Sequence, residues 1–188
     1  MHDSTNQNCA KRHKAPIWRR VLVPADFTLH DLHLIIQAAM GWTNYHLYSF
    51  SIGNERFSIP YDSDKEVTDS RTIKLGQVYS MNKESKMHYT YDFGDCWEHE
   101  VTIEKSLEET NGEKYPQCID GARACPLEDC SGVPGYYELV EAFANPKAKK
   151  YSELREWARN FAGGNYDPEA FDLKEANENV RDYKDMEV

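Results

Sequence analysis

Hydrophobic spacing changes period several times along the chain, and each change marks an element. Residues 17–23, Ile-Trp-Arg-Arg-Val-Leu-Val, read as a strand closed by Pro24. A helix follows with its own punctuation: Thr28 as cap, Asp31 three residues on to answer it, Phe27 ahead as a staple, and Gly41 as the stop. Leu32, Ile35, Ile36, Ala39 and Met40 recur at the spacing of one helix face. From Tyr45 the period shortens to two. His46, Tyr48, Phe50 and Ile52 alternate with Leu47, Ser49 and Ser51, and Gly53-Asn54 turns the strand towards a partner over 56–59. Residues 60–71 are charged and polar, a loop, and 72–79 fit either a short helix or a strand.

The next unit is a predicted hairpin. Residues 86–93 and 97–105 both alternate, with Gly94-Asp95 between them. Met87, Tyr89, Tyr91 and Phe93 share a face of the first arm. On the second, Trp97, His99, Val101 and Ile103 share one, which leaves Glu98, Glu100, Thr102 and Glu104 for water and assigns His99 to the apolar side. A polar connection over 106–116, with Asn111-Gly112 at its tip, leads into a cysteine-rich loop at 116–135. Helices are predicted over 136–144, 151–161 and 173–183. Residues 1–14 have no apolar periodicity and are expected to be disordered or weakly held, leaving 15–188 as a single domain. The order strand, helix, strands, then helices predicts an α+β fold on an antiparallel sheet.

Composition narrows the partners. Among 188 residues 40% are apolar, enough for one core, and twelve tyrosines, seven phenylalanines and four tryptophans fill much of it. A net charge of −10 opposes broad contact with a phosphate backbone, so nucleic acid is disfavoured as a partner. A DNA-binding role would need a local basic groove from Arg19, Arg20, Lys147, Lys149 and Lys150. No stretch approaches the roughly twenty apolar residues that cross a bilayer, and the polar opening residues resemble no secretory signal, so the cytoplasm is the expected address.

Candidate chemistry centres on the cysteines. Cys9 and Cys96 stand apart, whereas Cys118, Cys125 and Cys130 crowd into thirteen residues. In a chain without an export signal such a cluster reads as a metal site or as buried thiols before it reads as a disulfide framework. Three thiolates with the imidazole of His99 make up a tetrahedral Cys₃His set suited to a structural zinc. Taken singly, each cysteine is a buried thiol and His99 a core histidine bonded to a carbonyl. A catalytic version of the site would need an open ligand position and a base, Glu128 or Asp129. Asp92 and Asp95 read as turn residues bonding local backbone, Cys96 and His99 fall on opposite strand faces, and His30, His33 and His46 lie near aromatics, with His30 and His33 able to share a helix face but, lacking a third ligand, read as surface residues. Gly132-Val133-Pro134-Gly135 reads as a turn before a helix, without the Lys and Ser/Thr of a phosphate loop.

Several separate segments together resemble the plasmid pRiA4b ORF-3-like family. They are Pro16-Ile17-Trp18-Arg19-Arg20, residues 29–42, Tyr91-Asp92-Phe93-Gly94-Asp95-Cys96-Trp97-Glu98-His99, and Cys125-Pro126-Leu127-Glu128-Asp129-Cys130-Ser131-Gly132 with Gly135-Tyr136. Trp157 and Tyr166-Asp167-Pro168-Glu169-Ala170-Phe171 extend the likeness, which runs from about residue 15 to 180. The resemblance implies an α+β domain related to passenger proteins of plasmids and insertion elements, with no assigned biochemical role. Three departures stand out. The alternating strand that usually precedes the Pro-Ile-Trp segment is missing from 1–14, Leu127 stands where a second proline is usual, and Ser131 where a second glycine is usual. The expected function is a non-enzymatic binding or accessory module with an unidentified protein or small-molecule partner, carrying in one version a structural zinc. A zinc-dependent hydrolase at the same Cys/His set and a DNA-associated mobile-element protein are the alternatives.

Overall fold

The computed structural model describes residues 16–60, 66–81, 86–110 and 112–187. The reading of residues 1–14 lies outside them. The α+β fold is as the periodicity indicates. Strand β1 (Trp18–Leu22) leads to helix α1 (Leu29–Met40), then β2 (Tyr48–Ile52), β3 (Glu55–Ser58), β4 (Val67–Asp69), α2 (Leu75–Met81), β5 (Lys86–Tyr91), β6 (Trp97–Thr102), β7 (Gln117–Ala122), α3 (Gly132–Ala144), α4 (Ser152–Phe161) and α5 (Leu173–Arg181). Five strands form one sheet in the order β4-β3-β2-β5-β6, antiparallel except for β3 with β4. β1 and β7 make a separate antiparallel pair.

Local chemistry explains why α1 begins and ends where it does. The Thr28 hydroxyl accepts from the Asp31 amide at 3.0 Å, and Asp31 accepts from the Thr28 amide at 2.8 Å. This reciprocal cap satisfies two donors that the first turn would leave bare. Gly41 stops the helix in the left-handed region, at φ 83°. The helix is buried on two sides, which its alternation alone does not announce. Leu29 and Leu32 join a core with Phe50, Met87, Tyr89 and Tyr91 of the sheet. Leu34, Ile35, Ala38 and Ala39 join a second core with Ala176 and Val180 of α5 and Cys118 of β7. α1 is therefore a wedge between the sheet and a second layer made by α5 and the β1–β7 pair.

Two strands escape the periodicity. β4 lies in the charged stretch read as loop, since its three residues are too short to show a period. β7 lies inside the segment read as a cysteine-rich loop. Its pairing with β1 shifts register between Arg20 and Val21, leaving Ile119 as an extra, bulged residue. The ambiguous stretch at 72–79 becomes α2, preceded by a 3₁₀ turn over Ser70–Thr72.

Candidate functional site

The four residues expected to form a zinc cage occupy different places. Cys118 sits in β7 and packs into the α1–α5 core, with its amide 3.2 Å from Asn177 Oδ1. Cys125 and Cys130 point into the other core. His99 lies between rings, 5.4 Å from both Trp42 and Tyr89, and its Nδ1–H donates to the Trp97 carbonyl at 3.1 Å. No three of these four offer ligand atoms within 4.8 Å of one another. Tetrahedral zinc needs sulfur and nitrogen about 2.0–2.3 Å from one point, so the expected Cys₃His cage is not assembled. The reason is the strand: β7 fixes Cys118 opposite Val21 of β1 and in the core shared with α5, whereas Cys125 and Cys130 lie after the strand and in the other core. Burial also raises all three thiols, Cys130 to about 12 and Cys125 well above the ordinary range.

The segment after β7 is held as a compact loop, residues 123–131. Trp42 Nε1–H donates to the Pro126 carbonyl at 2.9 Å. Glu128, only 4% exposed, accepts from the Tyr91 hydroxyl at 2.6 Å, from the Thr43 amide at 2.9 Å and from the Thr43 hydroxyl. A carboxylate with three donors is satisfied and held in place. It is not free to serve as the base considered above. Gly132, at φ 65°, presses so close to the hairpin turn that a Cβ there would stand 2.7 Å from the Asp95 carbonyl oxygen.

A different trio comes together at the outer lip of this loop. His46 Nε2 lies 3.7 Å from Asp92 Oδ2 and 3.4 Å from Asp129 Oδ1. Among the described residues these three alone form a group of metal-ligating side chains within 4.8 Å of one another. Asp92 is positioned by its own turn: Oδ1 accepts from the amides of Gly94 at 2.9 Å and Asp95 at 3.3 Å, as expected for a turn aspartate. Asp92 and Asp129 adopt left-handed conformations, φ 53° and 58°, which aspartate tolerates better than most residues. Asp129 is exposed and His46 partly so.

Sequence reading missed this trio because its members lie far apart along the chain. The register explains their meeting. Tyr48 pairs with Tyr91, and the Asp92 amide donates to the Leu47 carbonyl at 2.9 Å. Residues just before β2 therefore face those just after β5. A hairpin-by-hairpin reading could pair β5 with β6, but nothing in the sequence paired β2 with β5. The assignment of His33 to the surface is also corrected. His33 is 1% exposed, stacked on Tyr48 at 3.6 Å, with both ring nitrogens bonded.

A concave groove of about 410 Å³ opens on the other side of the loop. Its walls are the end of α1, residues 124–128, and the chain from the end of α4 into α5. Met40, Trp42, Leu127, Phe161 and Phe171 supply apolar surface, and Glu128, Asp167, Asp172 and Glu175 supply carboxylates. Arg19 also lines it. Its guanidinium lies over the Phe171 ring at 4.2 Å and donates to the carbonyls of Ala39, Trp18 and Ala122 at 2.9–3.0 Å.

Comparison with known proteins gives relatives but no activity. A family model described as "Plasmid pRiA4b ORF-3-like protein" matches residues 10–175. The chain is 36% identical over 173 residues to "Uncharacterized protein y4hQ" of Sinorhizobium fredii (strain NBRC 101917 / NGR234), covering 90% of this chain and 87% of that one. The crystal structure of a protein of unknown function, MM3350 of Methanosarcina mazei Go1, superposes with a TM-score of 0.77 at 35% identity, over 87% of this chain and 91% of that one. No helix among the described residues is long and apolar enough to cross a membrane.

Proposed function

The chain belongs to the plasmid pRiA4b ORF-3-like family, and from that premise we propose that it is a non-enzymatic binding module that holds a peptide segment of a protein partner in the groove beside Trp42. The observation that carries this reading is the groove's make-up. Phe161 is 45% exposed at its wall, and the exposed carboxylates of Asp167, Asp172 and Glu175 border it against one guanidinium already engaged by three carbonyls. An exposed aromatic beside acidic groups suits a segment with a large apolar side chain flanked by lysine or arginine. The same charge balance disfavours DNA in this groove.

A hydrolase reading has less support. Glu128 is locked by Tyr91 and Thr43, and the thiols of Cys118, Cys125 and Cys130 are buried, which leaves the Cys/His set considered for hydrolysis without an accessible thiol or a free base. An accessory role on plasmids or insertion elements remains part of the proposal and rests on the family's name.

A positional-scanning peptide library read by fluorescence polarisation tests the groove. Peptides with an apolar residue between basic ones should bind best, and Phe161→Ala should weaken them at least tenfold. Tighter binding of acidic peptides or of a DNA duplex, or affinities unmoved by Phe161→Ala, would overturn the reading.

A further inference from the structure

The trio at the lip of the loop is independent of the groove and supports an assignment of its own. We propose that His46, Asp92 and Asp129 bind one divalent transition-metal cation of the zinc class, which fastens the cysteine-rich loop to the β5–β6 turn. One imidazole nitrogen with two carboxylate oxygens is a donor set for zinc and its first-row neighbours, whereas magnesium and calcium favour all-oxygen shells. A cation about 2.0–2.2 Å from each donor sets neighbouring donors roughly 3–3.6 Å apart. The observed 3.4 and 3.7 Å need only a slight contraction.

Three segments that are remote in sequence supply the donors: the approach to β2, the turn after β5, and the loop after β7. Asp92 is pre-oriented, because the amides of Gly94 and Asp95 occupy Oδ1 and leave Oδ2 directed at His46. Such outer contacts are what fix a ligating carboxylate. The exposure of Asp129 leaves room for water to complete the shell.

A second observation concerns charge. One residue beyond that turn amide, Asp95 Oδ2 is sealed from water with no hydrogen-bond partner. Asp92 and Asp129 share one ion-pair partner, the imidazole of His46. The turn and the loop lip thus bring two carboxylates, those of Asp92 and Asp129, to one imidazole. A divalent cation would answer both of those charges.

The test uses the full chain, stripped with EDTA and desalted. Zinc should titrate to one equivalent by calorimetry. Cobalt should give visible ligand-field bands without the intense near-ultraviolet charge transfer of a thiolate. His46→Gln, Asp92→Asn and Asp129→Asn should each weaken zinc at least tenfold, while Cys118→Ser and Cys130→Ser leave it unchanged. Asp92→Asn keeps the oxygen that receives the two amides, so an unchanged circular dichroism spectrum separates lost ligation from lost folding. Absence of stoichiometric uptake, leaving an imidazolium–carboxylate ion pair only, would overturn the proposal. So would a thiolate band, or calcium or magnesium bound as tightly as zinc.

Discussion

The polar groups beneath α1 and those at the lip of the cysteine-rich loop are each built around a histidine, and the two histidines end in opposite states. Under the helix, donors and acceptors link into a chain, with Gln37 Oε1 buried at its start and without a partner among the described residues. Gln37 Nε2–H donates to Tyr89 Oη at 2.9 Å, Tyr89 donates to His33 Nδ1 at 2.8 Å, His33 Nε2–H donates to Asn44 Oδ1 at 2.7 Å, and Asn44 donates to the Met186 carbonyl at 2.8 Å. The Asn44–Met186 bond dictates the direction, since a carbonyl can only accept. At the lip, His46 meets two carboxylates that cannot donate to each other, at an edge open to solvent. A histidine whose nitrogens are both consumed by buried partners specifies packing. One whose nitrogen meets acceptors at an open edge has capacity left for a ligand.

The comparison predicts that the inner side of the loop is as unforgiving as the helix interface, and this gives the largest effect. At Gly135 a Cβ would stand 1.6 Å from the Cys130 carbonyl oxygen, which is backbone and cannot swing aside. Gly135→Ala should therefore force the first turn of α3 off the loop, costing about 5 kcal/mol or more, or preventing folding. Gly164→Ala, with no heavy atom within 4 Å of its Cβ, should stay within about 0.5 kcal/mol. Urea denaturation of both variants checks the pair. Equal midpoints would mean that the loop yields and the comparison fails.

Acid should act next most strongly, and on the helix side. Burial lowers His33 from 6.5 to about 3, with the bond to Asn44 opposing and His30 adding to the shift. The folded state keeps the ring neutral while the unfolded chain protonates it near 6.5. This contribution is complete above pH 6.5 and lost as pH falls towards 3, by about 5 kcal/mol in all. Melting temperature against pH should fall through that window in the natural chain. In His33→Leu the curve should start lower at pH 7 and slope less. Parallel curves would show that His33 is not the group whose protonation unfolds this interface.

These two regions also differ in how far the sequence disclosed them. α1 was legible to its caps because Thr28, Asp31 and Gly41 act within one turn of where they stand. The β5–β6 hairpin was legible for the same reason, including the inward place of His99, except that Phe93 turns outward where the strand ends. The cysteines misled because clustering along the chain was read as clustering in space. β7 divides them, and a six-residue strand with a bulge has no clean period to announce it. His46, Asp92 and Asp129 were invisible because they meet through the β2–β5 register, a long-range pairing that no local pattern encodes. His33 looked like a surface residue because α1 is buried on two sides, and a one-sided periodicity assigns half of that helix to water.

A smaller effect should come from Glu128, which belongs to the loop yet behaves like the groups under α1. Replacing it by glutamine keeps one acceptor and puts an amide N–H₂ where Tyr91 or Thr43 already donates. One buried donor then loses its partner, at about 2 kcal/mol. Glu128→Gln combined with Thr43→Val should cost less than the sum of the two singles, since the second change removes a stranded donor. Strict additivity in chemical denaturation would place Glu128 with the open groups instead.

The smallest effect is expected at the neighbouring residue, where the contrast is sharpest. Asp129 and Glu128 are adjacent carboxylates, yet the Asp129 side chain is 68% exposed and its recorded partner is the imidazole 3.4 Å away. Asparagine tolerates the left-handed backbone at φ 58° as well as aspartate does. In chelator-treated protein, Asp129→Asn should therefore change stability by no more than about 0.5 kcal/mol, the usual yield of an exposed ion pair. With zinc present the outcome should divide. A ligand bound only by the folded chain raises the melting temperature of the natural protein in proportion to the logarithm of its concentration, and Asp129→Asn should lose most of that rise. Thermal scans over a zinc series settle it: an apo-state loss as large as that of Glu128→Gln would mean that the lip is structural like the rest of the loop.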